Sequence, residues 1–265
     1  MLKPFLILKN NKELIVEMSK KDIIDRYKGQ PLGVLWAVVH PMVMILIYVF
    51  LFGIVFKTRI NSGEQQTLSY ATYLLSGMVP WITIQTALNS GAISVTSNSM
   101  MIKQVIFPAE VLPIKMVGSA FIIEMIYMVI DILYCIISTR TVSVMYLLLV
   151  VALPIELLFL IGINYILSAL NVYLRDVKDF VQVICAIGVY LIPVVYSPDA
   201  VPGIFRKALY INPVSHMIWM FQDIMYYGSF IHWYSWIISA VEALVVFYIG
   251  HRVFQKLKIG FGSVL

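Results

Sequence analysis

The sequence predicts an all-α, polytopic membrane protein with six transmembrane helices. Three observations carry that class. Of 265 residues, 61% are hydrophobic and only 12% charged, too few charges to cover a soluble globule. The apolar residues gather into six runs, most of them near the roughly 20 residues that cross a bilayer as a helix. Lys and Arg are divided unevenly between the two sets of segments joining those runs, which gives the chain an orientation.

The expected spans are Val34–Phe56, Leu68–Val95, Val111–Ser138, Val142–Leu170, Phe180–Tyr196 and Trp233–Phe254. An even number places both termini on one side. That side holds Lys3, Lys9, Lys12, Lys20, Lys21, Arg26, Lys28, Lys103, Lys115, Arg175, Lys178, Arg252, Lys256 and Lys258, which are 14 of the 19 cations. The other holds Lys57, Arg59, Arg140, Arg206 and Lys207. By the positive-inside rule both termini are cytoplasmic. The net charge of +5 then follows from topology, and no nucleic-acid partner is needed to explain it. Phe5-Leu6-Ile7-Leu8 is shorter than the apolar region of a cleaved signal peptide, so no processing is expected. Cys135 and Cys185 lie about 50 residues apart in separate apolar segments and suggest neither a disulfide nor a metal site.

Residues 1–33 read as a cytoplasmic arm and 34–265 as the membrane domain. In the arm, Asn11 is placed to cap a helix from Lys12 to about Tyr27. Leu14, Ile15, Met18, Ile23 and Ile24 alternate there with Lys12, Glu13, Glu17, Lys20, Lys21, Asp22 and Arg26, the pattern of an amphipathic helix lying on the membrane surface with its lysines toward anionic headgroups. A solvated leader is the plain alternative. Asp22 and Arg26 stand four apart in the favourable order.

Arg26-Tyr27-Lys28-Gly29-Gln30-Pro31-Leu32-Gly33-Val34-Leu35-Trp36-Ala37 with Pro41 marks the entry into the first span. This pattern resembles the start of the first membrane helix in ABC-2-type exporter permeases, in the branch that exports lipid-linked polysaccharides such as O-antigen, capsule or teichoic acid. In that family an interfacial helix at the position of the arm contacts the ATPase subunit.

Two cytoplasmic connections extend the resemblance. Ser99 to Glu110 carries apolar residues that an isolated loop would not need, which suggests docking. Asn171 to Phe180 packs Arg175, Asp176, Lys178 and Asp179, four charges of alternating sign, into five residues. A self-neutralising salt-bridged turn would explain the second equally well. Both are similar to the family's coupling elements, and the resemblance implies that Lys103, Gln104, Phe107, Pro108, Arg175, Asp176, Lys178 and Asp179 face the ATPase.

Between the fifth and sixth spans, Ser197 to Ile231 contains Pro198, Pro202 and Pro213, then the apolar run Val214 to Tyr227. About 14 residues are too few to cross but enough to dip in and return. The resemblance implies two short re-entrant external helices here, with Tyr210-Ile211-Asn212-Pro213 as their link.

The sequence has no Gly-x-x-x-x-Gly-Lys-Ser/Thr loop, so ATP hydrolysis is expected from a separate partner that binds ATP and Mg. His40, His216, His232 and His251 have no ligand spacing, and no catalytic constellation or metal site is read. Trp36, Trp81, Trp219, Trp233 and Trp236 suit an interfacial belt. Tyr48, Phe52, Trp81, Tyr127 and Tyr190 are candidates for a channel wall, where aromatic faces suit sugar rings. Glu124 and Asp131 share a face with Tyr127 and Tyr134, while Glu156, Asn164 and Ser168, and Ser235, Ser239 and Glu242, make similar rows. Charges in hydrocarbon are costly, so these rows should face the bundle, a partner or water. Inter-helix bonding and a glycan path both remain open for them.

The expected protein is a homodimeric permease working with two copies of an ATPase in the bacterial cytoplasmic membrane, exporting a lipid-linked polysaccharide. An ABC-2-type exporter of drugs or small amphiphiles is the transport alternative. A polytopic enzyme of glycan synthesis would need acidic or histidine clusters at the membrane edge, and none is seen.

Overall fold

A computed structural model describes residues 3–55, 70–104 and 107–265. The expected span residues Phe56, Leu68 and Ser69, the cations Lys57 and Arg59 expected on the external side, and Val105 and Ile106 of the first connection lie outside the described residues. Twelve α-helices and no strand occur among the described residues. They are α1 (Lys3–Asn10), α2 (Lys12–Arg26), α3 (Trp36–Tyr48), α4 (Tyr70–Ala92), α5 (Ser99–Gln104), α6 (Val111–Thr139), α7 (Leu149–Tyr173), α8 (Val177–Gly188), α9 (Gly203–Ile211), α10 (Pro213–Gln222), α11 (Trp233–Lys258) and α12 (Phe261–Val264).

Four segments are long and apolar enough to cross a membrane: Gly33–Val55, Val111–Ser138, Val144–Tyr173 and Trp233–Lys258. They match the first, third, fourth and sixth expected spans. The second, α4, is helical but milder in composition. Several of its polar side chains bond back to its own carbonyls, as Asn89 Nδ2 does to Gln85 O at 2.8 Å and Ser90 Oγ to Thr86 O at 2.7 Å. Seventeen of its 23 residues are buried, so α4 is the central helix, wrapped by protein.

The fifth expected span breaks. Pro193 disfavours helical backbone at the residue before it, and Ile192 is extended with φ −132° and ψ 157°. Helix α8 therefore ends at Gly188, followed by a single 3₁₀ turn Val189–Leu191. Tyrosines of α4 take up the carbonyls left free beyond it. Tyr73 Oη donates to Pro193 O at 3.1 Å and Tyr196 O at 3.0 Å, and Tyr70 Oη donates to Val195 O. Gln222 Nε2 adds a bond to Pro193 O at 2.7 Å.

The Tyr-x-Asn-Pro link does join two short helices. Asn212, extended, ends α9 and caps α10, its Oδ1 accepting from Val214 N at 3.0 Å while Nδ2 donates to Leu191 O at 3.1 Å. Pro213 takes the first helical position, where a missing N–H costs nothing. Every residue from Ser215 to Tyr226 is buried, with α10 packed between α4 and α11.

Two expectations need correction. Asn11 does not cap α2; its Nδ2 donates to Ile7 O at 3.0 Å, because α1 runs directly into it. Trp81 and Trp219 are no interfacial belt: both are buried. Trp81 fits against Gly188, where a β-carbon would come within 2.3 Å of its ring, and Trp219 stacks on His232 at 5.3 Å.

Candidate functional site

One end of the bundle gathers the arm and both connections. The buried residues of α2 are Ser19 and Ile23; of the apolar set read from the sequence, Ile23 is buried, Ile15 and Met18 are half-buried, and Leu14 and Ile24 are exposed. Ser19 Oγ reaches Lys115 O at 3.1 Å beside Gly118, where a β-carbon would lie 2.4 Å from that hydroxyl. A small polar residue on α2 thus docks it to α6.

Between the arm and the bundle lies a recess of about 480 Å³ lined by Arg26, Tyr27, Gln30, Trp36, His40, Ile82, Thr86, Ile123 and Tyr127. Tyr127 Oη lies 3.3 Å from His40 Nδ1. The recess combines one cation, several neutral donors and three aromatic rings at the entry to the first span.

The second connection bonds the turn that leads into the first. Asn171 Nδ2 donates to Thr96 Oγ1 at 3.2 Å. A second recess, about 300 Å³, is bounded by Thr96, just before the first connection, Ser99 at its start, Arg175 and Lys178 of the second, and Val264 and Leu265. Lys103, Arg175, Asp176, Lys178 and Asp179 are exposed, while Phe107 and Pro108 are partly buried. Gln104 ends α5. Among the described residues none of the four charges at 175–179 forms an ion pair, so the self-neutralising turn does not form.

Sequence reading missed the residues that tie this end together. Glu110 Oε1 accepts from Gln255 Nε2 at 2.6 Å and Lys258 Nζ at 2.9 Å, and its Oε2 accepts from Lys258 at 2.9 Å. Burial pushes the Glu110 carboxyl up, but the bonds from Lys258, its own backbone and Gln255, with the charge of Lys258, outweigh that and hold it below its ordinary value. Tyr173 Oη donates to Leu257 O at 2.7 Å. The only sequence signal was a lone acid bordering one span and a pair of lysines, Lys256 and Lys258, ending another.

The interior candidates are placed as follows. Tyr48 and Phe52 join Tyr70 and Tyr73 in an aromatic row, with neighbouring rings 5.2–6.5 Å apart. Trp81 is a packing residue of the α4–α8 contact, and Tyr190 is 66% exposed. Glu124, Asp131, Glu156, Asn164, Ser168, Ser235 and Ser239 are fully buried and Glu242 is half-buried, so the rows on α6 and α7 point into the bundle, as does that on α11 at its two serines. The Glu124 and Glu156 carboxyls face each other across α6 and α7 and have no other hydrogen-bonding partner, and Asp131 Oδ2 has none.

At the opposite end, Asp223 is buried and accepts from His232 N at 3.1 Å, His232 Nδ1 at 2.9 Å and Trp236 Nε1 at 3.1 Å. His216 bridges Tyr210 O and Ser235 Oγ at 2.9 and 3.1 Å. A single acid in the apolar run Val214 to Tyr227 was the visible hint.

Comparison with known proteins places this architecture. The chain is 28% identical over 256 residues to a Klebsiella pneumoniae protein named O-antigen export system permease protein RfbA, covering 96% of this chain and 95% of that one. A Myxococcus xanthus protein of the same name is 27% identical over 219 residues, 80% of each chain. The family model described as ABC-2 type transporter matches residues 13–226, from the arm to the end of the buried short helix. With its long apolar helices, the chain belongs to the ABC-2 type transporter family as a multi-pass membrane permease.

Proposed function

We propose that this chain is the membrane-spanning subunit of an ATP-driven exporter that moves a lipid-linked, O-antigen-like polysaccharide across the bacterial cytoplasmic membrane. Two copies form the path, and each binds a separate ATPase that holds ATP and Mg. The observation that carries the reading is the similarity, over 96% and 80% of this chain, to two proteins named as O-antigen export permeases.

The geometry supports a division of labour. The end bearing α2 and both connections is the cytoplasmic one, by the distribution of Lys and Arg. There the exposed charges Lys103, Arg175, Asp176, Lys178 and Asp179 meet the ATPase. The recess under Arg26 is the entry for the lipid carrier: a guanidinium suits a phosphate, and the rings of Tyr27, Trp36 and Tyr127 suit the first sugars. Helices α9 and α10 close the path on the external side. Six crossings, with α9 and α10 re-entrant, complete the topology.

Deleting the gene should strip the glycan from the cell surface and leave its lipid-linked form on the cytoplasmic leaflet. Reversing both Arg175 and Asp176 should leave ATP hydrolysis running in the purified complex while export stops. Unchanged surface glycan in the deletion strain would refute the reading.

A further inference from the structure

Helix α11 is held at both of its ends by bonds to the elements that the two halves of the transport cycle must move. At the cytoplasmic end, Glu110, the last residue of the first connection, takes three bonds from Gln255 and Lys258. Tyr173, two residues before Arg175 of the second connection, bonds Leu257 O, and its ring lies 6.3 Å from that of Phe261. A β-carbon at Gly260 would lie 2.3 Å from the Tyr173 hydroxyl, so that contact is close. At the far end, His232 and Trp236 hold Asp223, the residue that follows α10. Between these ends run 26 helical residues without a break, about 39 Å at 1.5 Å per residue.

We propose that α11 is a transmission rod: Glu110 and Tyr173 position both cytoplasmic connections on its inner end, so that motion at either reaches α9 and α10 through Asp223. The proposal rests on the coupling reading above. A helix transmits force along its axis only if it is clamped to what drives it and to what it drives. Both clamps consist of bonds to charged groups, the strong kind, and both side-chain carboxylates are buried, where water competes little. The arrangement also explains why a lone acid borders α6 and another follows α10. Each is the acceptor that a donor-bearing stretch of α11 grips.

The test uses the purified permease–ATPase complex in lipid nanodiscs or vesicles. Glu110→Lys and Lys258→Glu are made singly and together, beside the reversal of Arg175 and Asp176. Two quantities are read: glycan moved per ATP hydrolysed, and the distance between spin labels at Ile204→Cys, 83% exposed on α9, in the two copies with and without ATP, in a background lacking Cys135 and Cys185. Each single change should lower glycan per ATP about five-fold or more, the low end for a coupling between distant sites, and should abolish the ATP-dependent change in label distance. The exchanged pair should restore both. If the Arg175–Asp176 reversal lowers glycan per ATP but the Glu110 and Lys258 changes do not, the rod is overturned and the coupling reading stands. If none of them lowers it, both fall. Loss of assembled complex in the single and exchanged forms alike also overturns the proposal, leaving Glu110 and Lys258 as folding contacts.

Discussion

Gly162 and Gly250 set how closely α7 and α11 approach, and replacing either by alanine is a direct test of that packing. A β-carbon at Gly162 would lie 2.5 Å from Phe247 Cα and N and 2.6 Å from Val246 C; one at Gly250 would lie 2.0 Å from Gly162 O. Non-bonded carbons rest at about 3.5–4.0 Å, so the helices must part by roughly 1 Å or more. Every obstructing atom is backbone, and no rotamer change can relieve the clash. Parting the helices also loosens Tyr165 from Phe247 and Phe254, whose rings lie 6.5 and 5.1 Å from it. Overpacking of this kind costs about 1–3 kcal/mol, a roughly 5- to 150-fold loss in the folded-to-unfolded ratio. Small residues at such crossings are the usual means by which membrane helices pack closely. The assay is thermal unfolding in detergent, followed with a thiol-reactive dye, since Cys135 and Cys185 are both free and buried. Gly203→Ala and Gly262→Ala serve as controls, because a β-carbon at either meets nothing within 4 Å. The midpoint should fall by at least about 2 °C in Gly162→Ala and Gly250→Ala and hold in the controls. Equal midpoints in all four would refute the close approach.

Four further outcomes are expected. Asp223→Ala strands three donors, His232 N and Nδ1 and the partly buried Trp236 Nε1, at about 1–3 kcal/mol for a buried one; a melting midpoint equal to the parent's would contradict that network. Glu124→Gln with Asp131→Asn replaces two buried acids by amides of the same shape, so assembly on size exclusion and export should both persist; lost export with intact assembly would instead assign these carboxyls to the glycan path. Single cysteines at Glu17 and Ser263, with Cys135 and Cys185 replaced, should be shielded from an impermeant external reagent while one at Lys207 reacts, and the reverse pattern would invert the topology; Ser19 is unsuitable because it is buried. The Glu110 carboxyl is held low in the folded protein, so its contribution is present above the ordinary carboxylate range and is lost as pH falls through the lower folded value. The gap in melting midpoint between parent and Glu110→Gln should therefore close on acidification, and a constant gap down to about pH 3 would count against it.

What could be read in advance divides along physical lines. Span positions follow from composition, and the four most apolar helices coincide with expected ones. Breaks follow from local chemistry: Asn212-Pro213 joins two short helices as its residue types require, and Pro193 ends the segment that starts with α8, a signal present in the sequence but given too little weight. Faces were less legible. On α2 the buried stripe runs through Ser19, a polar residue chosen for fit against Gly118, and no hydrophobic pattern reveals that. Pairings were least legible. Glu110 and Lys258 are 148 residues apart, and each alone reads as an ordinary charge at a membrane boundary.

The all-round burial of α10 has a mechanical consequence. A re-entrant helix that acted as a loose flap would show one packed face and one open face. Here Ser215 to Tyr226 are buried without interruption, Gln222 is bonded to Pro193 O, and Asp223 is bonded to His232 and Trp236. Swinging α10 alone would break those bonds inside a low-dielectric interior, where unpaired polar groups are costly. Close-packed interiors resist gradual deformation and move instead as bodies between discrete arrangements. Any opening at this end therefore carries α10 together with the start of α11. Because α11 runs unbroken to Gln255 and Lys258, that movement is felt at Glu110 on the opposite face.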